Sequence, residues 1–264
     1  MAGLFDGATV LITGASGGFG SAAARRYAAE GARLVLSDYD EQALEEIAGA
    51  ISNDHGCDIA ALAGDIADES LSEHLAALAV DRFGRLDVAL NNAGIAQDAF
   101  AKLPKTDSAE ARRIFDIDLV GMFYALKHQL PVMERQFRSS GTGGAIVNVA
   151  SVAGVTGASG LAVYAAAKHG VVGLTRSVAQ EYARLGVRIN AVCPSFARTP
   201  MATEMLGVEV RGRVVTEEQL VRGIPMGRLA EVEEVVEAFI FASSPSNSFM
   251  TGQTIHIDGG LTGY

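Results

Sequence analysis

TVLITGASGGFG, residues 9–20, runs an apolar, β-branched stretch directly into a glycine-rich turn, and the helix-forming SAAARRYAAE, residues 21–30, follows at once. Strand, glycine turn and helix in that order form a cradle. The glycines let the backbone turn sharply and approach a pyrophosphate, whose charge then rests on the helix N-terminus. Gly14, Ser16, Gly18, Phe19 and Gly20 are the candidate contacts for such a dinucleotide. The next strand ends at Asp38, 18 residues past Gly20, where a carboxylate can accept both hydroxyls of a ribose. A 2′-phosphate would be repelled there, and the neighbours Gly17 and Tyr39 supply no cation. NAD is therefore expected over NADP.

The pattern continues outward from this unit. ATVLITG (8–14), RLVLSD (33–38), IAALAGD (59–65), LDVALNNAG (86–94), GAIVNVAS (144–151), VRINAVCPS (187–195) and GQTIHIDGG (252–260) read as strands, most of them apolar throughout. Continuous apolarity belongs to strands covered on both faces. Helical patterns fall between them at Ser21–Glu30, Glu41–Ser52, Ser70–Phe83, Ala109–Arg135, Tyr164–Leu185 and Glu231–Ala242. Such alternation implies right-handed βαβ units. The expected fold is α/β: a Rossmann-type, doubly wound, seven-stranded parallel sheet with helices on both faces, one domain over residues 1–264. Thr199–Gly223 breaks the pattern, being weakly periodic and rich in Met and Arg. It reads either as an ordinary helix pair or as a substrate-covering segment beyond a strand end.

Composition narrows the function. A formal net charge of −10 with no basic stripe argues against nucleic-acid or anionic-membrane partners. Cys57 and Cys193 form no CxxC and suit free thiols in a reducing cytoplasm, and no basic region precedes an apolar leader at the N-terminus. Ala145–Ala167 is uncharged, but it is built of Gly, Ala, Ser and Thr with Asn148 inside, so it reads as interior and not as a membrane span. His55, His74, His128, His169 and His256 lack any metal-ligand spacing. Arg211, Arg213 and Arg222 read as solvated charge.

VYAAAKHGVVG, residues 163–173, sets Tyr164 and Lys168 on one helix face, four positions apart. Alone, this is an amphipathic pair. Together with TGASGGFG (13–20), NNAG (91–94), Ser151 placed 13 residues before Tyr164, and TGQTIHIDGG (251–260), it makes the chain resemble the classical short-chain dehydrogenase/reductase family over nearly its whole length. The resemblance implies that Tyr164 is the general acid/base, with Lys168 beside it and Ser151 holding the substrate oxygen. The chemistry agrees. A free phenol is too weak an acid to act as a base at neutral pH, and a cation one turn away, with a positive nicotinamide ring nearby, favours its anion. Lys168 would also donate to the nicotinamide ribose.

By the same resemblance Asp65 and Ile66 would flank the adenine, Asn92, Ala93 and Gly94 the cofactor ribose, Pro194 the nicotinamide, and Thr199 the carboxamide. Read alone, Asp65 is equally a strand-end acid, and Thr199 a helix cap ahead of Pro200. Family members are often homotetramers, which implies an oligomer here.

Two departures stand out. The family usually carries an Asn where Ile117-Asp118-Leu119-Val120-Gly121 has Asp118. Near Lys168, an anionic Asp118 would favour the ammonium yet oppose a tyrosinate, altering the pH profile of a surviving proton relay; alternatively it is held protonated. Pro194-Ser195 also replaces the usual Pro-Gly. Ile95, Ala96, Val155, Gly157, Phe196, Met201 and Met205 suggest an apolar or modest-sized substrate. The reading is an NAD-dependent oxidoreductase that interconverts a secondary alcohol and its ketone. A 3-oxoacyl thioester reductase is the enzymatic alternative, and a non-catalytic NAD-binding sensor or scaffold is the alternative from another class.

Overall fold

The structure is a computed structural model and describes residues 3–203, 206–207, 209–210 and 213–263. Strand β1 (Thr9–Thr13) enters the glycine turn and helix α1 (Gly18–Ala29) leaves it. β2 (Arg33–Ser37), α2 (Glu41–His55), β3 (Ile59–Ala61), α3 (Glu69–Phe83) and β4 (Val88–Asn91) follow in alternation. Next come α4 (Ser108–Phe115), a π-helical turn (Asp116–Val120), α5 (Gly121–Ser140), β5 (Gly144–Val149), α6 (Ala162–Tyr182) and β6 (Val187–Pro194). The last elements are α7 (Pro200–Thr203), the antiparallel hairpin β7 (Glu209–Val210) and β8 (Arg213–Val214), α8 (Glu217–Val221), α9 (Val232–Ser243) and β9 (Thr254–Ile257).

Seven strands form one sheet in the order β3-β2-β1-β4-β5-β6-β9, and every pairing is parallel. The order reverses between β1 and β4, so their carboxyl ends bound the crevice where open α/β sheets take ligands. Strand side chains alternate between faces. Val10, Ile12, Leu34, Leu36, Val88 and Leu90 join α1, α2 and α9 in one core, while Leu11, Val35, Ala89 and Ile146 join α3, α5 and α6 in the other. This accounts for the continuous apolar runs and confirms helices on both faces.

Two expectations are corrected. The helix read as continuous over 109–135 is interrupted by the π turn, which inserts one residue into the ladder and carries Asp118. Thr199–Gly223 is not a simple helix pair: short helices α7 and α8 flank the β7–β8 hairpin, and α8 starts on a capping box of Thr216 and Gln219. The roles expected of Met205 and Arg211 lie outside the described residues, as do those of the Met201 and Arg213 side chains.

Arg188 of β6 ties the far edge together. Its guanidinium donates to the carbonyls of Ala242, Ser243, Ser244 and Met250 at 3.0–3.3 Å, setting a cation on the C-terminus of α9. Cys57 and Cys193 are free and buried. Among the described residues no helix is long and apolar enough to cross a membrane, and no cluster of His, Cys, Asp and Glu could hold a metal ion.

Candidate active site

The glycine turn is shaped by close approaches. Gly14 has φ +65°, and a Cβ there would lie 2.9 Å from Asn92 Nδ2 and 3.0 Å from Ala93 Cα. A Cβ on Gly20 would overlap the Gly14 carbonyl oxygen, and one on Gly18 would come within 2.9 Å of Thr199 Cγ2. Asn92 Nδ2 donates to the carbonyls of Thr13 and Gly14 at 3.1 and 3.0 Å, and Thr13 Oγ1 accepts from the Asn92 and Ala93 N–H groups. The ends of β1 and β4 are thereby stitched side by side. Helices α2, α3 and α4 each begin with an Asp whose side chain accepts a backbone N–H, but α1 begins at Gly17 with no such cap. Its first N–H groups face the crevice without a side-chain acceptor, and the missing Cβ atoms leave room for a pyrophosphate. These residues fit a dinucleotide.

At the end of β2, Asp38 Oδ2 accepts from Ser16 N at 2.9 Å and Oδ1 from Tyr39 N at 2.8 Å. The carboxylate is half-buried, fixed against the glycine turn, with lone pairs left for further donors. Asp65 is exposed, its Oδ1 holding Ala67 N at 2.9 Å, and Ile66 beside it packs under Gly121.

Tyr164 and Lys168 stand one turn apart at the start of α6, Tyr164 half-buried and Lys168 4% exposed. Lys168 Nζ lies 5.6 Å from the centre of the Tyr164 ring and donates to Val149 O at 3.3 Å. Asp118, 1% exposed, brings Oδ2 to 3.2 Å from the same nitrogen and accepts the Ile95 N–H at Oδ1 at 2.8 Å. The Oδ2 contact is an ion pair without hydrogen-bond alignment, since that oxygen has no directed donor. Burial pulls the Lys168 ammonium down, but the facing charge of Asp118, followed by that of Tyr164, outweighs it and holds the group above the ordinary lysine value. Burial likewise pushes the nearby Cys193 thiol up to about 11, which keeps it an inert thiol. Ser151 opens the turn after β5 in extended conformation, and its Oγ accepts Ala153 N at 3.2 Å.

One cavity of about 960 Å³ connects these groups. Gly14, Ser16, Gly18, Phe19, Asp38, Asp65, Ile66 and Asn92–Gly94 line one part, and Ser151, Tyr164, Lys168, Pro194, Ser195 and Thr199 line another. Gly20 and Asp118 do not line it: Gly20 lies buried within the turn, and Asp118 reaches the site through Lys168. Among the anticipated pocket residues, Ile95, Ala96, Gly157 and Phe196 line the cavity, but Val155 instead packs into the core beneath α6, because the 3-10 turn Val152–Gly154 rotates it away. The cavity also takes in Gln97, Phe100, Arg113, Thr156 and Leu161, which sequence reasoning passed over. Gln97, three residues past the NNAG run, spends its amide N–H groups on Ala99 O and Gly160 O at 3.2 and 3.3 Å.

A glycine cradle at a topological switch point, opening on a Ser, a Tyr and a Lys, is the arrangement of a nicotinamide-dependent oxidoreductase. Residues 14–262 match the family model described as Enoyl-(Acyl carrier protein) reductase. Over 258 residues the chain is 38% identical to a meso-2,3-butanediol dehydrogenase of Serratia marcescens, covering 98% of this chain and 96% of the relative. The chain belongs to the classical short-chain dehydrogenase/reductase family. A cis-4-hydroxycyclohexanecarboxylate dehydrogenase of Sinomonas cyclohexanicum is 40% identical over 252 residues, which is 96% of this chain and 95% of that one. The solved structure of levodione reductase superposes with a TM-score of 0.91 at 36% identity, covering 98% of this chain and all 100% of that chain. As a short-chain dehydrogenase/reductase the protein is an oxidoreductase of CH–OH groups that interconverts an alcohol and its ketone, and its family binds a nicotinamide dinucleotide.

Proposed function

We propose that the protein is an NAD-dependent dehydrogenase of secondary alcohols, with Tyr164 as general acid/base, Ser151 as the donor to the substrate oxygen, and Lys168 and Asp118 as a charge pair behind them. The single observation that carries this reading is the shared cavity, which Tyr164, Lys168 and Ser151 line together with the glycine turn. When bound, the nicotinamide supplies the hydride acceptor or donor.

The chain's own residues handle orientation and the proton. Oxidation begins with the hydroxyl of the alcohol donating to the Tyr164 oxygen, which takes its proton as hydride leaves the carbinol carbon; reduction returns it. Ser151 Oγ accepts from Ala153 N–H and so keeps its own O–H free to donate to the reacting oxygen, where a donor is worth most as charge develops. Lys168 stays charged because Asp118 faces it, stabilising the tyrosinate from one turn away and offering protons to the nicotinamide ribose.

NAD is favoured because Asp38 stands at the adenosine end with its carboxylate fixed, and among the described residues Arg113 and Lys168 are the cations that line the cavity. A 2′-phosphate would be repelled by the Asp38 carboxylate, and the neighbours Gly17 and Tyr39 bring no cation to offset it. Asp65 and Ile66 would bracket the adenine, Asn92–Gly94 the ribose, Pro194 the nicotinamide, and Thr199 its carboxamide. We take residues 1–264 as one domain in which 199–223 covers the substrate, and the working form as a homotetramer in the cytoplasm. Apolar walls at Ile95, Phe100, Val152, Leu161 and Phe196 suit a small aliphatic or alicyclic alcohol, the class named for the butanediol and hydroxycyclohexanecarboxylate relatives.

The test is NADH and NADPH binding side by side, followed by NAD-linked turnover of secondary alcohols. Selective NADH binding, with turnover abolished in Tyr164→Phe, is the expected result. Binding of neither nucleotide would overturn it.

A further inference from the structure

Beyond β9 the chain makes a tight turn at Asp258–Gly263, and one buried carboxylate organises it. Asp258 Oδ1 accepts Gly260 N at 2.9 Å, and Oδ2 accepts both the N–H and the hydroxyl of Thr262 at 2.9 and 2.6 Å. Leu261, between those two residues, donates its own N–H to Asp258 O at 3.1 Å. The turn is also pressed against the stretch that follows α8. Met226 N donates to Gly259 O at 3.1 Å, and Gly259, at φ +60°, comes so near Ile224 that a Cβ would lie 2.6 Å from Ile224 Cγ2. The Leu261 side chain itself reaches Gly223, where a Cβ would stand 3.0 Å from Leu261 Cδ1.

Sheet order gives the position of this side chain in the cavity. Asp38 and Asp65 follow β2 and β3, Ser151 follows β5, and Leu261 follows β9, two strands past β5 on the side away from β2 and β3. With strands about 4.8 Å apart, the ends of β2 and β9 are separated by roughly 24 Å. Leu261 therefore stands far from the adenosine contacts. Ser195 N donates to Ile257 O at 3.0 Å, so the turn leaves the sheet beside Ser195 and Phe196, and all three residues line the cavity. Toward α6 the lining carries hydroxyls at Ser151, Thr156 and Ser159, whereas Phe196 and Leu261 contribute apolar surface. Phe196 is backed by Val215, Leu220 and Leu229.

We propose that Leu261 is a specificity-determining residue, whose isobutyl group closes the cavity beyond the reacting groups and limits the substrate to secondary alcohols with a compact ring or short chain. Its backbone is fixed on both sides by Asp258 and its side chain is stopped by Gly223, so the wall can yield little to a larger substrate. A few carbons of excess substrate volume then carry a large penalty. This inference rests on the alcohol dehydrogenase reading above and names the residue that sets the size limit of that same site.

The test measures kcat/KM for cyclohexanol and 4-isopropylcyclohexanol with NAD in the wild-type protein, Leu261→Ala and Leu261→Phe, alongside NADH Kd values. The isopropyl group added to the substrate matches the one that Leu261→Ala removes. The wild type should prefer cyclohexanol. Leu261→Ala should raise the ratio of the larger alcohol to the smaller on the order of tenfold, Leu261→Phe should lower it, and NADH affinity should hold in both. Should the smaller side chain unsettle the turn, Leu261→Phe alone still decides. A ratio unchanged in the variants, with both alcohols turned over, overturns this inference alone. So does an unchanged ratio accompanied by weaker NADH binding, which would assign the side chain to the cofactor. Turnover of neither alcohol by the wild type overturns the reading beneath it as well.

Discussion

Asp118 Oδ2 lies 3.2 Å from Lys168 Nζ, and both side chains are almost wholly sealed from water. Where family resemblance leads one to expect a neutral amide, this chain places an anion behind the lysine of the reacting pair. That anion stabilises the ammonium, and it opposes the formation of a second negative charge one turn away at Tyr164. Asp118→Asn removes the opposition. The acid limb of the pH–rate profile for alcohol oxidation should then move to lower pH. Superimposable profiles of wild type and variant would sink the idea.

The same pair has a signature in stability. Lys168 is held above the ordinary lysine value, so it binds its proton more tightly when folded than when unfolded. Its contribution is therefore full below the unfolded lysine value and is lost as pH rises through the higher folded one. The gap in Tm between wild type and Asp118→Asn should therefore be widest near neutral pH and shrink as the solution becomes alkaline, because the variant's Lys168, its burial no longer offset by Asp118, sheds its proton more readily. Thermal melts across that pH range check it; a gap that widens with pH would contradict it. Asp118→Ala is a harsher change, because it leaves Lys168 buried without its counter-charge and frees the Ile95 N–H, at a cost of about 3–5 kcal/mol.

Much of this site is legible in the sequence, for physical reasons that differ by residue. Strands buried on both faces cannot hide their apolarity, so the sheet reads directly. The family resemblance singles out Asp118, but its place 3.2 Å from Lys168 is read from the structure. The π turn is invisible because the extra residue at Asp116–Val120 changes hydrogen-bond register without changing helix-forming composition. Val155 was assigned to the pocket, and the orientation that sends it into the core is set by a single 3-10 turn. Arg113 carries no local signal at all. It is one of two adjacent arginines on α4, and only the folded chain shows which of them lines the cavity.

The glycine turn offers a discriminating pair of substitutions. A Cβ at Gly17 meets nothing closer than 3.4 Å, and its φ of −71° is ordinary for any residue. A Cβ at Gly20 collides with the Gly14 carbonyl, which belongs to backbone and cannot swing aside. Gly17→Ala should therefore keep NADH affinity within about threefold, while Gly20→Ala abolishes binding and lowers Tm. Calorimetry with both variants measures this. A Gly20→Ala protein that binds normally would show that the turn is looser than its packing implies.

Asp38 serves two purposes that one substitution pair can separate. Its Oδ2 holds Ser16 N, and its free lone pairs are those assigned to the ribose hydroxyls. Asp38→Asn keeps an acceptor for Ser16 but removes the charge, whereas Asp38→Ala removes both. NADH affinity should fall by roughly tenfold in Asp38→Ala, as expected for losing charge-assisted hydrogen bonds. Asp38→Asn should lose less of it and should narrow the gap between NADH and NADPH. Fluorescence titration of both nucleotides reads the two effects, and an unchanged NADH-to-NADPH ratio in both variants would remove Asp38 as the selector.

Arg188 supplies a prediction that is structural and independent of the chemistry. Its guanidinium serves four carbonyls around the C-terminus of α9, and no carboxylate among the described residues shares it. Burial lowers its pKa, so the desolvation of this cation is compensated by carbonyl dipoles and the helix terminus instead of an opposing charge. Arg188→Met keeps much of the side-chain volume but strands those carbonyls, at a cost of about 2–4 kcal/mol. The loss should appear as a lowered urea midpoint with an unchanged slope, and added salt should not mimic it, because no exposed ion pair is being screened. The cavity lies at the opposite, carboxyl end of the strands, beyond Pro194, whereas Arg188 lies near the start of β6. At temperatures below the transition, NADH affinity should therefore be retained; a variant that kept its stability but lost the nucleotide would mean that the α9 clamp governs the site and not merely the sheet edge.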